Sequence, residues 1–375
     1  MELTKCKLGE LITQRREKND GSNLPICGVS KDGLIPPKQI DADTSIYNVF
    51  YRDDFIFNPA RMELNSIAIN DKYDRAICSS LYEVFFVHRT DLLLPHFLKL
   101  IVKQKWFTRY CEFLGQGSAR EYCRFNNISE IEIEFPPIEE QQRIVDYYSS
   151  IQKRIALKKQ INDNLEAQAL ALFSDFVSQH NEKWEQGKLG DVISSANTGG
   201  DAIQKVPIVD YDTGIKCARV GDITNAREFA SWAFCSATNS VFDNYKLQAG
   251  DILVTRTATL GITQYIPSDI SAVYNNGLIR LKTDNNRALP LYVYWAINTS
   301  NFMNYINQMN SATSVRPNMK IDYLLNYQLL IPPIEKQIQF VKAVEVLMNA
   351  ISLNNNERLK LCDFQSTLLN TLSRR

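Results

Sequence analysis

Pro136-Pro137-Ile138-Glu139 returns as Pro332-Pro333-Ile334-Glu335, and how that recurrence is read decides the architecture. The offset is 196 residues. It also aligns Gln141 with Gln337, Val145 with Val341, Ile155 with Ile351, Leu165 with Leu361 and Leu172 with Leu368. Upstream it still holds: Ser118 meets Ser314, Arg120 meets Arg316, Arg124 meets Lys320 and Phe125 meets Ile321. A second echo opens each half. Lys7-Leu8-Gly9-Glu10-Leu11-Ile12 matches Lys188-Leu189-Gly190-Asp191-Val192-Ile193 at an offset of 181. The change of offset places a 15-residue length difference in the early part of each unit. So many ordered matches at one offset mark an internal duplication.

Each unit therefore starts at Lys-Leu-Gly, runs through a variable body, stops at Pro-Pro and ends in a long polar–apolar segment. The boundaries read as 1–135 and 183–331 for the variable bodies, and 136–182 and 332–375 for the two tails.

The tails read as long helices. In the first, Ile144, Tyr148, Ile151 and Ile155 are followed by Ile161, Leu165, Ala169, Leu172 and Phe176. Steps of 3 and 4 give one apolar stripe. The second repeats it with Val341, Val344, Met348 and Ile351, then Leu361, Leu368 and Leu372. Glu139 and Glu140 sit in the first turn, where a carboxylate suits the helix dipole. A long helix with one narrow stripe needs a partner, and the other tail is the obvious one, giving an antiparallel coiled-coil-like pair. Both stripes lapse in mid-helix, at Lys158-Lys159 and at Asn354-Asn355-Asn356. This reads first as a solvated break, and alternatively as a polar layer that fixes register.

The bodies read as α+β. Strand-like runs occur at Ser45–Tyr51, Asp54–Asn58 and Glu83–His88, and again at Ile208–Val209, Asp251–Thr255 and Leu278–Lys282. Turn signals such as Ala249-Gly250-Asp251 and Asn275-Asn276-Gly277 bound them. One helix is predicted in each body, over Pro95–Phe113 and Pro290–Met309, then a short helix near Ile128 or Leu324 and a last strand ending at Pro-Pro. Without strict alternation of strand and helix, a doubly wound sheet is excluded.

The 375 residues contain 42 Lys+Arg and 42 Asp+Glu, so the net charge is zero and a histone-like basic protein is excluded. A local positive surface remains possible. No apolar run reaches the roughly 18 residues of a membrane span. Eight scattered cysteines without a CxxC pair read as reduced thiols of a cytoplasmic protein. His88, His96 and His180 lack metal-ligand spacing. No GxxxxGK[ST], GxSxG or HExxH occurs. Phe135-Pro136-Pro137-Ile138 lacks the Asn or Asp and the aromatic residue that flank Pro-Pro in amino-methyltransferases, so it reads as an extended stop before a helix.

Two variable modules, each followed by a Pro-Pro-x-x-x-Gln helix, resemble the DNA specificity subunit of type I restriction–modification enzymes over nearly the whole chain. The resemblance is carried by the Lys-Leu-Gly starts at 7–9 and 188–190, Trp184, Gly250-Asp251-Ile252-Leu253, Arg256, Gly261, and the helices opening at 136–141 and 332–337. The first module departs from it, with Arg52-Asp53-Asp54-Phe55 in place of Gly-Asp-Ile-Leu. The resemblance implies two target recognition domains, an asymmetric bipartite DNA target, paired helices acting as a spacer, and no catalysis or cofactor in this chain. It implies two methyltransferase subunits that bring S-adenosylmethionine, and a restriction subunit that uses ATP and Mg.

Polar loop residues beside turn signals are the candidates for reading double-stranded DNA, because Arg can bridge guanine and Asn can bridge adenine. In the first module these are Asn58, Arg61, Asn65, Ser118 and Arg120. In the second they are Arg256, Thr257, Thr259, Asn275, Asn276, Ser314, Arg316 and Asn318. Arg143, Arg154 and Lys158 are candidates for meeting a methyltransferase. The alternative is a scaffold with two interaction modules on a helical spacer, which predicts no salt-sensitive DNA binding.

Overall fold

The structure, a computed structural model, describes residues 3–373 except 38–39, 41–42, 116–121, 180–183, 202–204 and 313–317. The chain divides into two compact units, Met1–Leu157 with Arg358–Arg375, and Lys158–Glu357.

The first unit contains β1 (Thr4–Lys7), β2 (Ile12–Arg15), β3 (Ile26–Ser30), β4 (Gly33–Ile35), β5 (Asn48–Tyr51), β6 (Phe55–Phe57), β7 (Ile67–Ile69), β8 (Arg75–Cys78) and β9 (Glu83–Val87). Then come α1 (Pro95–Val102), α2 (Lys105–Gly115), α3 (Phe125–Ser129), β10 (Glu132–Phe135) and the long helix α4 (Ile138–Ser178). One sheet has the order β2-β9-β6-β7 and a second β4-β3-β8-β5. Strand alternation distributes the core. Phe55 and Phe57 face the helices with Phe85 and Phe97, whereas Ile56 faces the second sheet with Phe50, Cys78 and Val84.

The second unit repeats this with β11 (Glu185–Lys188), β12 (Ile193–Thr198), β13 (Ile208–Val209), β14 (Lys216–Ala218), α5 (Val220–Thr224), β15 (Ala233–Cys235), α6 (Asn239–Tyr245) and β16 (Ile252–Thr255). It continues through β17 (Thr263–Tyr265), β18 (Ala272–Tyr274), β19 (Leu278–Thr283), α7 (Pro290–Ala296), α8 (Ser300–Ala312), α9 (Ile321–Leu325), β20 (Gln328–Ile331) and the long helix α10 (Ile334–Ser373). Its sheets are β12-β19-β16-β17 and β13-β15-β14-β18. Ile252 and Val254 face the helices while Leu253 faces the second sheet.

The Lys-Leu-Gly echo closes each module. β1 pairs antiparallel with β10, and β11 with β20, so each module's start lies beside its Pro-Pro stop. Leu8 N–H donates to Ile131 O and Leu189 N–H to Tyr327 O, both at 2.8 Å. Glu10 accepts from Lys7 N–H, and Asp191 from Lys188 N–H. At Gly9 a Cβ would stand 2.9 Å from Ser129 Cβ, so no side chain fits there without a shift.

The single helix expected over Pro95–Phe113 is two helices, α1 and α2, and that over Pro290–Met309 is α7 and α8. Side chains make the breaks. Asn65 Nδ2 takes the Val102 carbonyl that α1 leaves over, at 2.6 Å. Thr299 Oγ1 accepts from Phe302 N–H at the start of α8. The run Ser45–Tyr51 is likewise a short 3-10 turn, Thr44–Ile46, followed by β5.

Within the second unit the two long helices run antiparallel, because low positions of one meet high positions of the other. Phe173 and Phe176 lie 5.5 and 5.2 Å from Phe340, ring to ring. Lys158 Nζ reaches Glu357 Oε2 at 2.6 Å and Asn354 Oδ1 at 2.9 Å. Asn162 and Asn354 or Asn355 exchange amide bonds at 2.6 and 2.9 Å, and Asn162 is only 4% exposed. The mid-helix lapse is therefore a packed polar layer, not a solvated break. On α4 the inward positions Lys158, Asn162, Ala169 and Phe173 fall 4, 7 and 4 residues apart, about 3.7 per turn, closer to a straight helix than to a heptad seam. Ile161 and Leu172, placed on the stripe by apolar character alone, point outward instead.

Candidate nucleic-acid interface

In the second module three loops converge at one end. After β16, Arg256 N–H donates to Gly277 O at 2.9 Å, and Arg256 O accepts from Met319 N–H at 2.8 Å. Thr257 bridges to Asn318. The Arg256 guanidinium ties the loops together, with Nε to Met319 O and Nη1 to Asn276 O, both at 3.1 Å. Asn275 Oδ1 accepts from Gly277 N–H. A Cβ at Gly277 would fall 2.6 Å from Val220 Cγ2, so glycine there is what lets the loops close.

Arg256, Thr257, Asn275, Asn276 and Asn318 thus come together, with Thr259 exposed on the same loop as Arg256. Arg256 works as a staple whose reach toward a ligand is limited by two carbonyls. Ser314 and Arg316 lie outside the described residues, as do Ser118 and Arg120.

Sequence reasoning missed the neighbouring connection 219–232. It follows β14, and Asn275 N–H donates to Ala218 O beside it. Asp222 is fully buried and holds Arg219 Nε and Arg227 Nη1, each at 3.1 Å. Two guanidiniums share one carboxylate. The signal available was the spacing of Arg219, Asp222 and Arg227, three and five residues apart, inside the extra length of the second unit.

The first module places corresponding loops at the corresponding end. Cys123 N–H donates to Pro59 O at 3.0 Å, as Met319 N–H does to Arg256 O. Asn58–Arg61, the Ser79–Tyr82 turn, Tyr122 and Arg124 line a cleft of about 530 Å³ together with Pro36, Pro37 and Tyr47. Arg61 is exposed at its wall. Arg124, also missed, lies over the Tyr122 ring and reaches Glu83 at 3.4 Å. Asn58 Oδ1 accepts from Ala60 N–H and caps its own loop.

Asn65 is a correction. It takes a left-handed conformation at φ 53°, and its amide donates to Val102 O and Thr108 Oγ1. Its counterpart in the repeat is Gly261, at φ 79°, so the position serves a turn. The departure at Arg52-Asp53-Asp54-Phe55 also resolves. Asp53 at φ 66° stands where Gly250 has φ 86°. Asp54 accepts from Tyr51 N–H at 2.8 Å as Asp251 accepts from Gln248 N–H at 2.9 Å. The turn is the same in both modules. Burial raises the carboxyl pKa of Asp54 and of Asp251, opposed by Arg15 and by Lys282 respectively.

On the long helices Arg143 is exposed beside Glu140, and Arg154 is exposed. Lys158 is a correction: it belongs to the packed polar layer, because the helix seam passes through it. The helices instead expose a second apolar stripe. Leu157, Ile161 and Leu172 stand 4 and 11 residues apart on α4, and Val346, Leu353 and Phe364 stand 7 and 11 apart on α10. Those spacings put each set on one helix face. Among the described residues, no group of three or more His, Cys, Asp or Glu side chains could hold a metal ion, and no helix is long and apolar enough to cross a membrane.

The family model for the type I restriction modification DNA specificity domain matches the chain twice, over residues 9–167 and 181–361. The chain is 24% identical to the type I restriction enzyme MjaIX specificity subunit of Methanocaldococcus jannaschii, over 74% of this chain and 68% of that protein. It is 26% identical to the HindI specificity subunit of Haemophilus influenzae over 29% of this chain and 24% of that one. The type I restriction–modification S subunit from M. genitalium shares the fold, with a TM-score of 0.60 at 16% identity, covering 99% of this chain and 96% of that one. With two copies of the domain, matched loops at one end of each and a joint pair of long helices, the chain belongs to the type I restriction–modification specificity-subunit family and recognises DNA sequence with two domains.

Proposed function

We propose that the converging loops of each module read one half of an asymmetric bipartite target in double-stranded DNA. The reading heads are residues 1–135 and 183–331, and the segments 136–182 and 332–375 form the spacer. The observation that carries this is the correspondence of loops: the same three chain segments meet at the same end of both modules, yet present different side chains. In the first, Arg61, Tyr122 and Arg124 face a cleft. In the second, Thr259, Asn276 and Asn318 are exposed, with Arg219 and Arg227 held beside them. Unlike heads imply unlike half-sites. Arginines supply phosphate contacts and guanine readout, and Asn supplies adenine readout.

The chain performs no chemistry in this reading. Two methyltransferase subunits dock on it and bring S-adenosylmethionine, and a restriction subunit adds ATP- and Mg-dependent translocation and cleavage in the cytoplasm. Ile161 and Leu172 on α4 with Val346 and Leu353 on α10 support docking on the long helices better than any single arginine does, since four exposed apolar side chains offer area to bury. A gel-shift titration at two salt concentrations, with and without the methyltransferase, tests the DNA reading. Expected is salt-dependent binding that tightens in the assembly and follows a discontinuous motif methylated in the host. Binding that ignores both salt and sequence would refute it. Docking is tested by the double substitution Ile161→Glu with Leu353→Glu, which places one charge in each exposed row. Stoichiometric co-purification of the methyltransferase with this variant would remove the helices as its site.

A further inference from the structure

The Pro-Pro-x-x-x-Gln motif contains a side chain that neither helix propensity nor DNA contact explains. Gln141 is fully buried, and so is Gln337. Gln141 Oε1 accepts from Leu94 N–H at 2.9 Å, and its Nε2 donates to Leu92 O at 2.7 Å and Pro136 O at 2.8 Å. Gln337 Oε1 accepts from Leu289 N–H at 2.8 Å, and its Nε2 donates to Arg287 O at 3.0 Å and Pro332 O at 2.8 Å. Two modules that differ widely on their reading loops make the same three bonds from the same residue.

The partners say what is joined. Leu94 immediately precedes Pro95, the first residue of α1, and Leu289 precedes Pro290, the first residue of α7. Those helices pack behind the reading sheet, α1 against β7 and α7 against β17 and β19. The glutamine sits in the first turn of the long helix. It bonds the chain just ahead of the helix that backs the sheet and also the Pro-Pro stop beneath it. A planar amide with both N–H groups and its carbonyl engaged cannot rotate without breaking a buried bond. The linkage therefore resists change in the angle between each head and its own long helix.

We propose that Gln141 and Gln337 are positioning residues that lock each reading head to its own helix and so make the subunit discriminate the spacing of its two half-sites. This rests on the bipartite reading above. A head free to swivel would still read its bases, but would accept them at the wrong distance. Both glutamines are replaced singly by Met, which keeps the volume and removes the three bonds.

The full chain, assembled with its methyltransferase, is titrated with duplexes carrying the host's methylated bipartite motif. The central spacer is native, one base pair longer or one shorter, and a further set carries a mismatch in each half-site. For the wild type, a spacing change is expected to weaken binding about tenfold or more, comparable to a mismatch. Gln141→Met and Gln337→Met are each expected to bring that spacing ratio below about threefold while keeping the mismatch penalties of both half-sites. Variants that keep the wild-type spacing ratio overturn the lock and leave the bipartite reading standing. A variant that loses a half-site's mismatch penalty as well shows a merely structural glutamine and also overturns it. A wild type that reads both half-sites but ignores spacing also overturns the lock, whereas a wild type with a mismatch penalty in only one half-site removes the bipartite reading itself.

Discussion

The two modules share a skeleton and differ in four places, and the pattern of those differences separates what holds a module together from what it presents. Retained are the closure by Leu8 and Leu189, the turn built by Asp54 and Asp251, and the buried bonds of Gln141 and Gln337. The connection between paired strands differs most. Lys31-Asp32 forms a tight turn between β3 and β4, whereas 219–232 inserts α5 and the Arg219–Asp222–Arg227 cluster between β14 and β15. The fourth strand of the second sheet differs too: β5 joins beyond β8, but β13 joins beyond β15. The turn residue is Asp53 in one and Gly250 in the other. Finally, Ala169, Phe173, Phe340 and Val344 of the long helices belong to the second module's core, while among the described residues Ile144 and Val145 pack partly against the first module's core. The first three differences lie on loops or at a sheet edge, where no core contact opposes them.

The last difference is the easiest to break. Phe340→Ala removes a buried ring that meets Phe173, Phe176 and Tyr292, and it should cost about 3–5 kcal/mol in denaturant unfolding. Val145→Ala, at the matching end of the other helix, should cost about 1 kcal/mol. Equal losses would mean that both modules grip their helices alike.

The turn offers a sharper test. Gly250→Ala places a Cβ 3.1 Å from Pro290 Cγ at a positive φ, so a loss of about 1–2 kcal/mol is expected. Asp53→Gly, which imports the second module's residue, should change stability by less than about 1 kcal/mol. A large loss there would show that the Asp53 side chain, 3.5 Å from His96, matters more than its backbone.

The polar layer should affect uniqueness more than stability. Asn162→Leu with Asn354→Leu is expected to alter the unfolding midpoint by no more than about 1 kcal/mol, yet to give multiple NMR signals from the helices as register loosens. A single sharp set of signals would make the layer incidental.

The smallest effect concerns Asp20. Bonds from Ser22 hold its carboxyl down at about 2. A folded-state value below that of an unfolded Asp stabilises the module above about pH 4, and that contribution fades as pH falls toward 2. Asp20→Asn should flatten this limb of the acid profile in the first module only; an unchanged profile would show that the contact contributes nothing.

Much of the architecture was legible because its signals are local or strictly periodic. The long helices α4 and α10 begin at Ile138 and Ile334 directly after Pro-Pro, and each Lys-Leu-Gly start lies at the end of a strand that pairs beside that stop. The candidate interface was legible in part. Turn signals at Asn275-Asn276-Gly277 and after Thr255 led to loops that do converge. The same signals also drew in Asn65, a turn former. Arg124, Arg219 and Arg227 were missed because their significance depends on Glu83, Tyr122 and Asp222 being where they are.

Alone, the sequence determined the duplication, the α+β content of each module, the helical tails and the family, since each rests on residue order along the chain. Tertiary structure decided which polar side chains are engaged. Gln141 finds Leu94 across 47 residues, Asn65 finds Val102 across 37, and Lys158 finds Asn354 across 196. It also decided that the helix seam passes through the polar residues Lys158 and Asn162. A buried hydrogen bond is set by proximity in space, and no spacing along the chain encodes a partner that distant.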